Sequence, residues 1–228
     1  MVPDTLNIYA LVIVLAGWIF TLCFHEFSHA LVAYTGGDKS VKKKGYLTFN
    51  PVRYMHPFLS LVLPVLFLLI GGIGLPGGAV YIDVSRLRSR IWHCAAVLAG
   101  PLSNVILLGI LMVPFWLGVA NPSENKILWS AYAFLCFLQV MVTFLNLLPI
   151  PPLDGFGAIS AFMPANLRTH LHPILMYVFY FALIIALIYV PVTRDIFWET
   201  VLMCSAKIGI PTELVYDGLN MIRLNLSI

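Results

Sequence analysis

Long apolar runs separated by short polar and basic stretches set the first expectation for this chain. The first run, about Ile8 to Ala33, is long enough to cross a bilayer, which takes about 20 residues. A second runs from His56 to about Leu75, but it contains Pro64 and ends in a Gly/Pro-rich stretch at residues 71–78. Ala79-Val80-Tyr81-Ile82 then reads as a short β element. The third, fourth and fifth runs cover about Ile91 to Ala120, Lys126 to Leu148 and Pro173 to Val192. Beyond them the apolar residues recur every three or four positions, around Ile196–Ile208 and Leu214–Leu224, interrupted by Glu199, Lys207, Asp217 and Arg223. That pattern predicts amphipathic interfacial helices, although one more short membrane helix also fits it.

Composition turns this pattern into a class. Of 228 residues, 61% are hydrophobic and only 10% charged, and the mean hydropathy is +0.94, whereas a soluble domain carries about a quarter charged residues. The chain is an all-α polytopic membrane protein of about five membrane helices. It is expected to form a single unit over 1–228, with a core at 8–160 and C-terminal helices at 173–228. Asp4 stands where a signal peptide would carry basic residues, so the first segment is expected to be retained. The formal charge of +3 gives no case for nucleic acid as a partner. Cys23, Cys94, Cys136 and Cys204 show no paired spacing and are expected to be free thiols.

Candidate chemistry lies inside the first apolar run, as His25-Glu26-Phe27-Ser28-His29. A helix sets His25 and His29 one turn apart on one face, with Glu26 about 60° round from His29. Two imidazoles at that spacing can hold a zinc ion while the carboxylate handles the proton of an attacking water. Three ionisable residues in a membrane segment are costly and call for a function.

A catalytic zinc site needs a third protein ligand. Asp154, beyond the Pro-rich break Pro149-Ile150-Pro151-Pro152 after segment four, is the best candidate. Taken alone, Asp154-Gly155 fits an ordinary interfacial turn equally well. Topology discriminates. The histidines lie toward the C-terminal end of segment one and Asp154 at the C-terminal end of segment four, so sharing one ion requires those segments to run the same way. Four simple spans would oppose them; a re-entrant second segment would not. The same arrangement puts the basic stretches at Lys39–Arg53 and Arg86–Arg90 on one side, as the positive-inside rule prefers. Both, with the metal end, are expected at the cytoplasmic face of a prokaryotic plasma membrane.

These residues resemble the site-2 protease family of intramembrane zinc metalloproteases, in its compact branch without inserted soluble domains. The likeness rests on three ordered anchors: the motif at 25–29, Ala99-Gly100-Pro101-Leu102-Ser103-Asn104, and Asn146 through Gly155. Leu47-Thr48-Phe49-Asn50-Pro51 with His56-Pro57 adds to it, and the whole covers roughly residues 8 to 160. The resemblance implies one zinc per chain held by His25, His29 and Asp154, with Glu26 as acid/base. It implies that Asn146 helps position a substrate backbone, and that Gly78, Ala79, Val80 and Tyr81 offer an edge to an extended substrate. Relatives often carry two glycines after the aspartate; here Phe156 intervenes between Gly155 and Gly157.

The expected function is endopeptidase cleavage of membrane-spanning or membrane-associated proteins within the bilayer. A non-proteolytic zinc-binding scaffold or transporter is the alternative. A transporter would spread ligands along a path, and a scaffold would be expected to lose a motif residue; neither holds here. Gly100, Pro101, Ser103 and Asn104 are read as helix packing. His56, His93, His170 and His172 are read as interfacial.

Overall fold

A computed structural model describes residues 6–53, 80–164 and 173–223. Eight α-helices lie among them: α1 (Ile8–Gly36), α2 (Ser40–Lys43), α3 (Arg90–Trp116), α4 (Lys126–Leu147), α5 (Asp154–Ser160), α6 (Pro173–Tyr189), α7 (Pro191–Lys207) and α8 (Thr212–Ile222). Side-chain acceptors fix the starts of the three long ones. Asn7 Oδ1 accepts from Ala10 N–H, Ser89 Oγ from Trp92 N–H, and Asn125 Oδ1 from Leu128 N–H.

The long helices α1, α3 and α4 are each long and apolar enough to cross a membrane. A fourth span exists if α6 and α7 are counted together, but they bend by 84° at their junction. Pro191 has no N–H to continue the helix and disfavours helical geometry at Val190, so the fifth apolar run ends there. A count of five is reached only with segment two, whose body at 56–75 lies outside the described residues, as does its re-entrant course. Helices form over both C-terminal stretches, as α7 and α8; α8 is amphipathic as expected, whereas α7 shows no distinct apolar face.

Helix direction follows from what the ends touch. At one end of the bundle Asn7 N–H donates to Met221 O, and Gly218 of α8 sits directly against Ser130 and Phe134 of α4. The N-termini of α1 and α4 therefore share that end. At the other end α1 stops where α3 begins: Arg88 N–H donates to Gly36 O, and Trp92 covers Gly36. Thus α1 and α4 run the same way and α3 runs against them, which is the relation required of segments one and four.

The chain between α1 and α3 stays at this second end on both sides of the gap. Asp38, fully buried, accepts from Ser40 N–H and Oγ–H through Oδ1 and from Asp83 N–H through Oδ2. Lys44 Nζ donates to Tyr81 O. Both basic stretches thus lie on one end of the molecule.

The expected β element at Ala79–Ile82 is not seen in the part of it that is described, Val80–Ile82. Among the described residues there is no strand, and Val80–Ile82 has no ladder partner. Side chains take its backbone groups instead, the Glu26 carboxylate at Val80 N–H and the Lys44 ammonium at Tyr81 O. β-Branched and aromatic composition alone does not supply the neighbouring strand that a ladder needs.

Candidate metal centre

The sequence pattern His-x-x-x-His does on α1 what its spacing requires. His25 and His29 point to the same side, toward α3, with Nε2 atoms 3.0 Å apart. Asp154, the first residue of α5, reaches them from beyond the end of α4. Its Oδ2 lies 3.2 Å from His25 Nε2 and its Oδ1 lies 3.5 Å from His29 Nε2. One ligand atom from each of the three residues falls within 4.8 Å of the others. At a tetrahedral zinc with bonds of about 2.0 Å, ligand atoms stand about 3.3 Å from one another. The observed separations bracket that value, so the donor set and its spacing fit zinc.

Two features hold the set ready. His29 Nδ1 lies 2.8 Å from Ala96 O of α3, a carbonyl that can only accept. The proton is therefore on Nδ1, and Nε2 is left with its lone pair toward the gap. The second feature is Gly100. A Cβ built on it would stand 2.5 Å from His25 Nε2 and closer still to His29 Nε2. That is nearly bonding distance for a zinc on the same two nitrogens. Glycine at this position keeps open the space an ion needs, and the helix-packing reading of Gly100 understates its role.

The turn that delivers Asp154 is also built on missing side chains. A Cβ on Gly155 would strike Leu147 O, and one on Gly157 would meet Val97 Cγ1 at 2.8 Å. Phe156 between them does not displace the aspartate.

Glu26 is buried beside the histidines, and its Oε2 accepts from Val80 N–H at 3.0 Å. It lines, with His25 and Asn146, a small cavity that extends between α1, α3 and α4 away from the loop end. Asn146 is buried in the last turn of α4. Val80 therefore touches the site, whereas Tyr81 is largely exposed and touches it only through the chain. Gly78 and Ala79 lie outside the described residues. His93 is buried in the first turn of α3; His56, His170 and His172 lie outside the described residues.

A helical membrane bundle with two histidines and an aspartate closing on a metal-sized gap defines a membrane metalloprotein. Comparison with known proteins supplies the rest. The chain is 40% identical over 215 residues to "Putative zinc metalloprotease Rip2" of Mycolicibacterium smegmatis, covering 93% of this chain and 80% of that protein. It is 43% identical over 176 residues to the protein of the same name from Mycobacterium tuberculosis, covering 77% of this chain and 67% of the relative. To "Putative zinc metalloprotease YwhC" of Bacillus subtilis it is 35% identical over 161 residues, covering 66% of this chain and 68% of that one. No family model and no solved structure matches the chain. At this identity and coverage the chain belongs to the site-2 protease family of zinc metalloproteases.

Proposed function

We propose that the chain is an intramembrane zinc endopeptidase, a single membrane-embedded domain over 1–228 that hydrolyses peptide bonds of membrane-spanning or membrane-associated proteins. The convergence of His25, His29 and Asp154 on one metal-sized gap, with the Glu26 carboxylate beside it inside a membrane bundle, carries this reading.

His25, His29 and Asp154 would hold one zinc per chain. When bound, the ion supplies Lewis acidity, both to the carbonyl under attack and to the attacking water. Val80 N–H engages Oε2 of Glu26, leaving Oε1 to take the water proton. The hydroxyl oxygen bonds to the scissile carbonyl carbon, the C–N bond breaks, and Glu26 passes its proton to the leaving nitrogen. The products are a carboxyl and an amine, and Glu26 ends as it began. Asn146, which lines the same cavity, would hold the substrate backbone. The stretch 78–81 would guide an extended substrate past Glu26.

A substrate helix hides its amides in its own hydrogen bonds, so it must unwind locally before a carbonyl can reach the site. Helix-breaking residues near the cut are expected in substrates. The end carrying both basic stretches would face the cytoplasm of a prokaryotic cell, by the positive-inside rule, with segment two re-entering from that side.

The test is Glu26→Gln in purified protein. It should retain zinc and lose turnover by roughly a factor of 10² to 10⁴, the usual worth of a positioned acid/base. Cleavage at wild-type rate by this variant would contradict the mechanism.

A further inference from the structure

The cavity beside Glu26 continues one turn deeper into the bundle, where its lining is polar for a reason the zinc chemistry does not supply. Thr21 of α1, Asn104 of α3 and Gln139 of α4 face it, between apolar walls from Trp18, Leu22 and Val142. Gln139 is fully buried and Asn104 is 2% exposed, in the middle of three membrane helices. Such amides are costly unless they serve a partner.

Hydrogen bonding fixes the orientation of one of them. Thr21 Oγ1 donates its only proton to Trp18 O at 2.9 Å, so toward Gln139 it can only accept. Gln139 Nε2–H fills that place at 3.0 Å. The carbamoyl oxygen Oε1 must then point away from Thr21, and it has no partner among the described residues; Asn104 Oδ1 has none either. Two buried acceptors without donors therefore line a pocket whose mouth is His25 and Glu26. The space is small, with room for no more than a few non-hydrogen atoms, so only the tip of one short side chain can enter it.

We propose that this pocket is a specificity subsite for the substrate residue next to the scissile bond. It takes a small neutral side chain that donates hydrogen bonds, a hydroxyl to one of Gln139 Oε1 and Asn104 Oδ1 or a carboxamide to both. Aliphatic side chains of equal size leave both acceptors buried and unpaired, and carboxylates bring an acceptor to acceptors. This inference rests on the protease reading above. It adds Gln139 as a specificity-determining residue, with Thr21 as the positioning residue that sets its amide.

The experiment uses the full chain, purified with zinc, and a library of single-span peptides carrying a helix-breaking pair, randomised across the six positions around the cut. Wild type should favour Ser, Thr or Asn over Val or Leu at one position flanking the cut by about tenfold or more in kcat/KM. Gln139→Leu should abolish or invert that ratio, with zinc content unchanged. Thr21→Val, which preserves volume and only releases the amide, should reduce it. The ratio between peptides is internal to each variant, so a general loss of activity does not imitate the effect. No preference in wild type, or one that survives Gln139→Leu, would overturn the subsite. Zinc-loaded wild type that cleaves no peptide would instead count against the protease reading on which it rests.

Discussion

The same helices, α1 and α4, are built on opposite rules at their two ends. At the N-terminal end they pack into the main apolar core with Phe134, Met112, Leu138, Met141, Val201 and Val215, closed by α7 and α8. At the C-terminal end the buried apolar clusters are small, Ala30, Ala33, Val41 and Ala96 around α1 and Leu145, Leu153, Leu183 and Leu187 around α4, and His25, Glu26, His29, Asn104 and Asn146 take up the interior between them. Dense packing at one end lets the other keep an uncommitted gap and buried polar groups. Stability resides at one end and chemistry at the other, on shared rods.

Substitutions at the two ends should therefore fail in different ways. The largest effect is expected from Gly100→Ala. Its methyl group enters the metal gap, so zinc content should fall at least tenfold while the bundle stays folded; elemental analysis beside a thermal melt separates the two. Phe134→Ala should do the reverse, costing about 3–5 kcal/mol of stability with one zinc still bound in the folded fraction. Gly218→Ala should cost about 1–3 kcal/mol, because its Cβ meets Ser130 O and Phe134 Cβ and pushes α8 off α4. Proteolysis of the C-terminal helices would report that loosening. Lys126→Ala breaks the 2.9 Å pair with Asp217, but both groups are partly exposed, so no more than about 1 kcal/mol is expected. A Gly100→Ala protein that binds zinc normally would dissolve the contrast between the ends.

How much of this could be read from sequence depends on whether the signal is local. The i, i+4 spacing of His25 and His29 carries its own geometry, and the apolar runs carry α1, α3 and α4. Asp154 needed topology as well, and the parallel course of α1 and α4 agrees with the argument that chose it. Gly100 was legible only as a small residue in an apolar helix. Its importance comes from two imidazoles some 70 residues earlier, which no local pattern contains. The Thr21–Gln139 pair, 118 residues apart, was hidden for the same reason. Val80–Ile82 shows the opposite failure: its local signal for a strand was present, and the Glu26 and Lys44 side chains took its backbone groups instead.

The central claim is a three-residue zinc site made by α1 together with the turn after α4. Zinc stoichiometry of detergent-purified wild type and Asp154→Asn, by elemental analysis, tests it most directly. The account predicts about one zinc per chain in wild type and a clear loss in the variant, with both proteins folded. Full zinc retention by Asp154→Asn, or no zinc in wild type after zinc-supplemented expression, would contradict it.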